Sequence, residues 1–156
     1  RLDSRGPVLF RHLRVGKGGK PFMMYKFRTM HVDADPYAPA PTDPNDPRIT
    51  RVGRWLRRYS IDEFPQLFNV LKGEMSMVGP RPEMPFLVEQ YEEWQRRRLD
   101  VKPGVTGLWQ IVGRKNLPLA LNLEYDFYYI KNQSLFFDIV ILLKTIPAVI
   151  FGKGAF

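Results

Sequence analysis

The sequence predicts an α+β domain, mostly helical: a small N-terminal β-hairpin followed by helices, some of them amphipathic and lying at a membrane interface. Three observations carry that prediction. Two short alternating segments flank a glycine-rich stretch, Gly16-Lys17-Gly18-Gly19-Lys20. Further on, Phe64, Leu67, Phe68 and Leu71 recur at helical spacing. Leu135 to Phe151 is too apolar all round for an ordinary surface helix.

Taken in order, Val8–Val15 and Pro21–Arg28 read as the two strands, since glycine-rich loops of this length join hairpins. The loop lacks the spacing and the Ser/Thr of a phosphate-binding loop. Lys26 and Arg28 alternate onto one face of the second strand, which makes that face a candidate for the site. Asp33 to Pro47 is acidic and proline-rich, so it reads as an exposed loop. A basic helix follows, with Arg51, Arg54 and Arg58 on one face and Val52, Trp55, Leu56 and Tyr59 elsewhere. Such helices lie on membrane surfaces or cradle phosphates; solvated arginines over a small core helix are the plainer reading.

The next helix is expected between Tyr59 and Gly73, with Gly73 at its C′ position. Ser60 and Glu63 have the spacing of a capping box, but Pro65 would then remove a donor inside the helix. A start near Asp62 puts Pro65 harmlessly in the first turn. Val78-Gly79-Pro80-Arg81-Pro82 is a rigid turn presenting an arginine. Glu83–Leu99 reads as one longer helix with Glu92–Arg96 and Glu93–Arg97 surface pairs, Tyr91 and Trp94 packing inward. Lys102–Arg114 reads as a glycine-punctuated loop, with Lys102 and Arg114 as candidate phosphate contacts. Leu119, Leu123, Phe127 and Ile130 stripe a helix from Pro118 to Lys131. Ser134 caps the last one, expected to be core in its first half and in membrane contact near its end.

Composition narrows the function. At 156 residues the length fits one domain, and 44% hydrophobic residues with 13% aromatics exclude a disordered chain. The sequence has no cysteine, which removes disulfides, thiolate zinc sites and cysteine nucleophiles. His12 and His31 are too few for a histidine metal site and are expected at the surface. A net charge of +8 implies anionic partners: nucleic acid, phospholipid headgroups or phosphorylated metabolites.

Asp62 and Glu63 are the focus. By themselves they read as helix-start chemistry, where the macrodipole favours ionised carboxylates. They lie, however, between the arginine-rich run Arg48–Arg58 and Arg81. Two carboxylates amid cations fit a site for a polyanion that also needs a metal or a nucleophile.

At this point the residues resemble the bacterial sugar transferases, the monotopic polyprenyl-phosphate hexose-1-phosphate transferases or phosphoglycosyl transferases. The blocks that carry the resemblance run in order along the chain. They are Leu2-Asp3-Ser4 with Gly6-Pro7-Val8, Tyr25-Lys26-Phe27-Arg28-Thr29-Met30, and Asp46-Pro47-Arg48-Ile49-Thr50. Ser60-Ile61-Asp62-Glu63, Lys72-Gly73-Glu74-Met75-Ser76 and Val78-Gly79-Pro80-Arg81-Pro82 follow, then Lys102-Pro103-Gly104-Val105-Thr106-Gly107-Leu108-Trp109-Gln110 and Gly152-Lys153-Gly154-Ala155-Phe156.

The resemblance implies transfer of a sugar-1-phosphate from a UDP-sugar to undecaprenyl phosphate, with UMP released through a covalent aspartyl intermediate. It makes Asp62 the nucleophile and Glu63, with Asp62, the ligands of Mg²⁺. Arg57 would meet the polyprenyl phosphate and Arg81 the nucleotide or sugar phosphates. Lys26, Arg28, Pro80 and Pro82 are further binding candidates. UDP-galactose or UDP-glucose is the expected donor, inclined so by Gly107-Leu108-Trp109-Gln110. Residues 1–156 are expected to form one catalytic domain on the cytoplasmic face of the bacterial inner membrane, without the re-entrant membrane helix that such enzymes carry ahead of the first block. A homodimer is admitted, and nucleic acid is not an expected partner. Two rivals are a catalytically inactive membrane-associated scaffold and a basic nucleic-acid-binding module; the intact Asp62, Glu63 and Arg81 argue against the first. No nucleic-acid motif supports the second.

Overall fold

A computed structural model describes residues 3–38, 41–112 and 119–150. Strands β1 (Leu9–Val15) and β2 (Pro21–Phe27) pair antiparallel, Leu9 opposite Phe27 and Val15 opposite Pro21, as the glycine-rich turn predicts. Alternation then sorts the side chains. Phe22 and Met24 go inward against Met75, and on β1 His12 and Arg14 are buried. His12 is therefore not the surface residue the sequence led one to expect; Phe10 and Tyr37 lie against its ring.

Helix α1 (Arg51–Arg58) starts at Thr50, whose hydroxyl accepts the backbone N–H of Gly53 at 2.9 Å. Gly53 is required there, because a Cβ would fall 2.0 Å from the Thr29 carbonyl oxygen. The start of α1 is thus pressed onto the end of the hairpin, and Thr50 N–H donates to that same Thr29 oxygen at 3.0 Å.

The single helix expected over Tyr59–Gly73 is broken in two. Ser60 is left-handed at φ 52° and caps nothing with its side chain. One 3-10 turn (Ile61–Glu63) follows, then Pro65 heads α2 (Gln66–Leu71), where its missing N–H is harmless. Gly73, at φ 76°, closes α2 as expected. The orientation of α2 is the larger surprise. Its polar Gln66 and Asn69 are buried, while Phe64, Leu67, Phe68 and Leu71 face out, Leu71 with 84% of its surface exposed.

The helix expected over Glu83–Leu99 also divides, into α3 (Pro85–Glu89), α4 (Glu93–Arg96) and a 3-10 turn, Arg97–Asp100. Glu92 becomes the N-cap of α4 in a capping box with Gln95, so its carboxylate serves the helix start rather than a ladder to Arg96. Tyr91 is buried against Val15 and Val88, while Trp94 stays half exposed over Phe127.

Two three-residue strands, β3 (Ser76–Val78) and β4 (Gly104–Thr106), pair in parallel where the sequence read as turn and loop. Gly79 and Gly104 allow it: a Cβ on Gly104 would lie 2.1 Å from Gly79 N. Helix α5 (Leu108–Val112) occupies the rest of that expected loop, and Arg114 lies outside the described residues.

Helices α6 (Leu119–Asn132) and α7 (Leu135–Ile150) complete the fold. Ser134 caps α7, its hydroxyl accepting Phe137 N–H at 3.2 Å. The buried side of α6 is Leu123, Asp126 and Tyr129, so a carboxylate sits in what read as an apolar stripe. Tyr129, Val78 and Ile141 form the core cluster that ties β3, α6 and α7 together. Contrary to the expectation that only its end would be uncovered, α7 exposes Leu135, Phe136, Ile139, Leu143, Ile146 and Ile150 along its whole length. No described helix is long and apolar enough to cross a membrane. The architecture is α+β and mostly helical, with the small N-terminal hairpin in place.

Candidate active site

The break after α1 places Asp62 and Glu63 on a tight turn against β2. Lys26, on β2, donates to Glu63 Oε1 at 2.7 Å. Asp62 is 9% exposed and, among the described residues, its carboxylate has no side-chain hydrogen bond or ion pair. Burial raises its pKa above the ordinary value; Lys26 lowers it, Glu63 raises it and Arg57 lowers it again. The helix-start effect expected to keep Asp62 ionised is thus outweighed by desolvation. A desolvated carboxylate held only by its own backbone N–H keeps lone pairs free for chemistry.

Arg57, at the end of α1, is half-buried, and its desolvation lowers its pKa while Asp62 and Glu63 pull it upward. It therefore stands within electrostatic reach of both carboxylates. Arg81 extends from the turn after β3 and stacks over the Trp109 ring, 5.2 Å from its centroid. With Lys26, Glu63, Gln66 and Trp109, Arg81 and Pro82 line a shallow cleft open to solvent. Pro80 lines a neighbouring hollow with Arg81, Tyr91 and Arg98 instead. Arg28 turns away from the dyad: its guanidinium donates to Pro7 O at 2.7 Å and to Ser4 Oγ at 2.6 Å. Lys102 is exposed, beside Gly73.

Sequence reasoning missed Arg14, Arg98 and Gln66. Arg14 is buried and lines the same cleft; burial lowers its pKa to about 10, so it is charged at neutral pH. Its Nη1 donates to Pro82 O at 3.3 Å and its Nη2 to His12 Nδ1 at 3.2 Å. Burial, with Arg14 and Lys26 nearby, pushes His12 down to about 4, so the ring is neutral and accepts. Arg98 donates to Arg81 O at 3.0 Å and to Asp126 Oδ2 at 2.6 Å, and it bonds the Tyr91 hydroxyl. Two buried arginines thus hold the carbonyls of residues 81 and 82, which fixes the turn that presents Arg81. The only sequence signal for Arg14 was its alternation on β1; nothing local marked Arg98 or Gln66.

The donor set fits a hard cation only in part. Asp62 and Glu63 supply carboxylate oxygens, yet no group of three His, Cys, Asp or Glu among the described residues could hold a metal alone. A Mg²⁺ ion would take its remaining oxygens from water and substrate phosphates, which is its usual habit.

Buried Asp62 and half-buried Glu63 thus stand with Lys26 and Arg57, and Arg14 and Arg81 line the cleft beside Glu63. The family model for bacterial sugar transferases matches residues 1–152, and the chain belongs to that family. It is 45% identical over 97% of its length to the undecaprenyl-phosphate galactose phosphotransferase of Salmonella typhimurium. It is 43% identical over 99% to the UDP-N-acetylgalactosamine-undecaprenyl-phosphate N-acetylgalactosaminephosphotransferase of Aeromonas hydrophila. Against the undecaprenyl-phosphate glucose phosphotransferase of Komagataeibacter xylinus it is 46% identical over its whole length. The chain spans 35%, 38% and 32% of these relatives, about a third of each.

Proposed function

We propose that this chain transfers a sugar-1-phosphate from a UDP-hexose, galactose or glucose, to undecaprenyl phosphate, as the first step of O-antigen, capsule or exopolysaccharide assembly. The observation that carries the reading is Asp62: buried, without a side-chain partner, and faced by Lys26 and Arg57. A carboxylate oxygen of Asp62 attacks the β-phosphorus of the donor, and the bond to the bridging oxygen breaks. UMP leaves with that oxygen and its electron pair. A phosphate oxygen of undecaprenyl phosphate then attacks the phosphorus of the aspartyl phosphosugar, expelling the carboxylate and giving the lipid diphosphate sugar.

The chain's own groups divide this work. Arg81 and Arg14 meet donor phosphates, where guanidinium forks match paired oxygens. Arg57, at the end of a basic helix, meets the lipid phosphate. Lys26 holds Glu63 in place, and Glu63 with Asp62 would hold Mg²⁺, which supplies charge neutralisation between two carboxylates and a diphosphate. The outward apolar faces of α2 and α7 support a monotopic seat on the cytoplasmic face of the bacterial inner membrane, where the lipid phosphate is presented.

The test uses full-length protein in nanodiscs with Mg²⁺, offered UDP-galactose or UDP-glucose with and without undecaprenyl phosphate. UMP turnover that needs the lipid and disappears in Asp62→Ala is the expected result. No UMP from any UDP-sugar would favour the scaffold reading.

A further inference from the structure

Helix α2 buries two amides, and the fold treats them differently. Asn69 is fully buried and saturated. It accepts Tyr25 N–H at 3.1 Å and donates to Met23 O at 2.8 Å and Glu74 Oε2 at 2.7 Å. One turn earlier, Gln66 is 3% exposed, lines the cleft beside Glu63, and among the described residues its carboxamide bonds to no protein group. The fully occluded polar atoms left unpaired among the described residues are His12 Nε2 and Arg14 Nε, so the Gln66 carboxamide, though its side chain is buried, keeps an opening to the cleft and is available to a ligand there. Asn69 locks α2 to β2, and nothing structural is left for Gln66 to do.

Its place in the cleft says what it serves. Gln66 opens α2 three residues after Glu63 and lines the cleft with it. The cleft's other charged groups are Arg14, Lys26 and Arg81, which only donate, and Glu63, whose carboxylate accepts from Lys26. Phosphate oxygens are acceptors and are met best by those cations. A carboxamide donates and accepts from one rigid plane, and a hydroxyl is the partner that uses both. We infer that Gln66 is a substrate-contact residue whose carboxamide hydrogen-bonds a hydroxyl of the hexose of the sugar nucleotide. This assignment rests on the proposed reaction class.

The test compares wild-type, Gln66→Met and Gln66→Leu full-length proteins in nanodiscs with Mg²⁺. Ligand-free thermal unfolding is measured first, then affinity for UDP-galactose, UDP-glucose and UDP. The expected result is an unchanged Tm, because no protein hydrogen bond is lost. UDP-hexose affinity falls about tenfold or more while UDP affinity stays within about twofold. A lower Tm in both variants shows that the fold uses the amide and overturns the inference. Equal weakening of UDP and UDP-hexose places the contact on the nucleotide and overturns it too, as does unaltered UDP-hexose affinity. Wild-type protein that neither binds UDP-hexose nor releases UMP overturns the reaction class itself, an outcome distinct from failure of the Gln66 variants alone.

Discussion

The fold buries two aspartates, Asp62 and Asp126, and partners them differently. Asp126 on α6 is 2% exposed and meets Arg98 at 2.6 Å; that arginine reaches on to Glu83 at 3.6 Å and to the Arg81 carbonyl. Asp62 is buried to a similar degree and meets no cation at bonding distance, because Lys26 is given to Glu63. Burial raises the pKa of both. The partnered carboxylate holds a turn in place; the unpartnered one is left with lone pairs to offer a substrate. On the proposed reaction, partnering rather than burial separates the structural acid from the nucleophile.

The largest expected effect is on the unpartnered side. Asp62→Asn should lower UMP release by at least ~10³-fold, the scale on which covalent nucleophiles act, while leaving the unfolding midpoint unchanged or higher. A variant that lost both activity and stability would erase the contrast with Asp126.

Asp126→Ala should do the reverse first. It strands Arg98 in the core, and denaturant unfolding should show a loss of about 3 kcal/mol or more, activity falling as the Arg81 turn loosens. The pH dependence sharpens this. Burial pushes the Asp126 carboxyl up to about 6 from its ordinary 3.8, so the folded protein keeps a proton that the unfolded chain has released. The stability this provides is present below pH 3.8 and is lost as pH rises through about 6, a change of about 3 kcal/mol. In Asp126→Asn that slope should be absent from a pH series of unfolding curves.

Arg98→Lys tests the link between the two sides. Lysine keeps the charge but cannot reach Asp126, Tyr91 and the Arg81 carbonyl together, since it lacks the planar fork. Stability should fall by about 1–3 kcal/mol, with the KM for UDP-hexose rising more than kcat falls. The smallest effect belongs to Ser60, left-handed at φ 52° just before the dyad. Ser60→Gly should stabilise by about 1 kcal/mol in the same unfolding assay and leave turnover unaltered.

The difference between the two aspartates also marks what the sequence could tell. Asp62 was legible because its neighbours in sequence are cationic and because it falls in a recognisable block; the hairpin was legible from its glycines, and Gly73 as a helix end. Asp126 was not, since its partner Arg98 lies 28 residues away and the stripe around it is apolar. The β3–β4 pair escaped for a related reason: three-residue strands joined across a long connection leave no period to detect. On α2 the period was right, but it did not say which side of the helix is buried. Spacing shows that two sides of a helix differ, not which one meets protein, and here Gln66 and Asn69 turn inward while Leu67, Phe68 and Leu71 are exposed. The Glu83–Leu99 reading failed because Glu92 prefers to start a helix rather than to continue one.

The most direct test of the central claim is to trap the intermediate. Full-length protein in nanodiscs with Mg²⁺ would receive UDP-hexose radiolabelled in the sugar, without undecaprenyl phosphate, and the quenched protein would be digested and mapped. The account predicts one labelled hexose phosphate on the peptide carrying Asp62, lost in Asp62→Asn and discharged when undecaprenyl phosphate is added to wild type. Label that persists in Asp62→Asn, or that maps to Asp126 or Glu63, would contradict it.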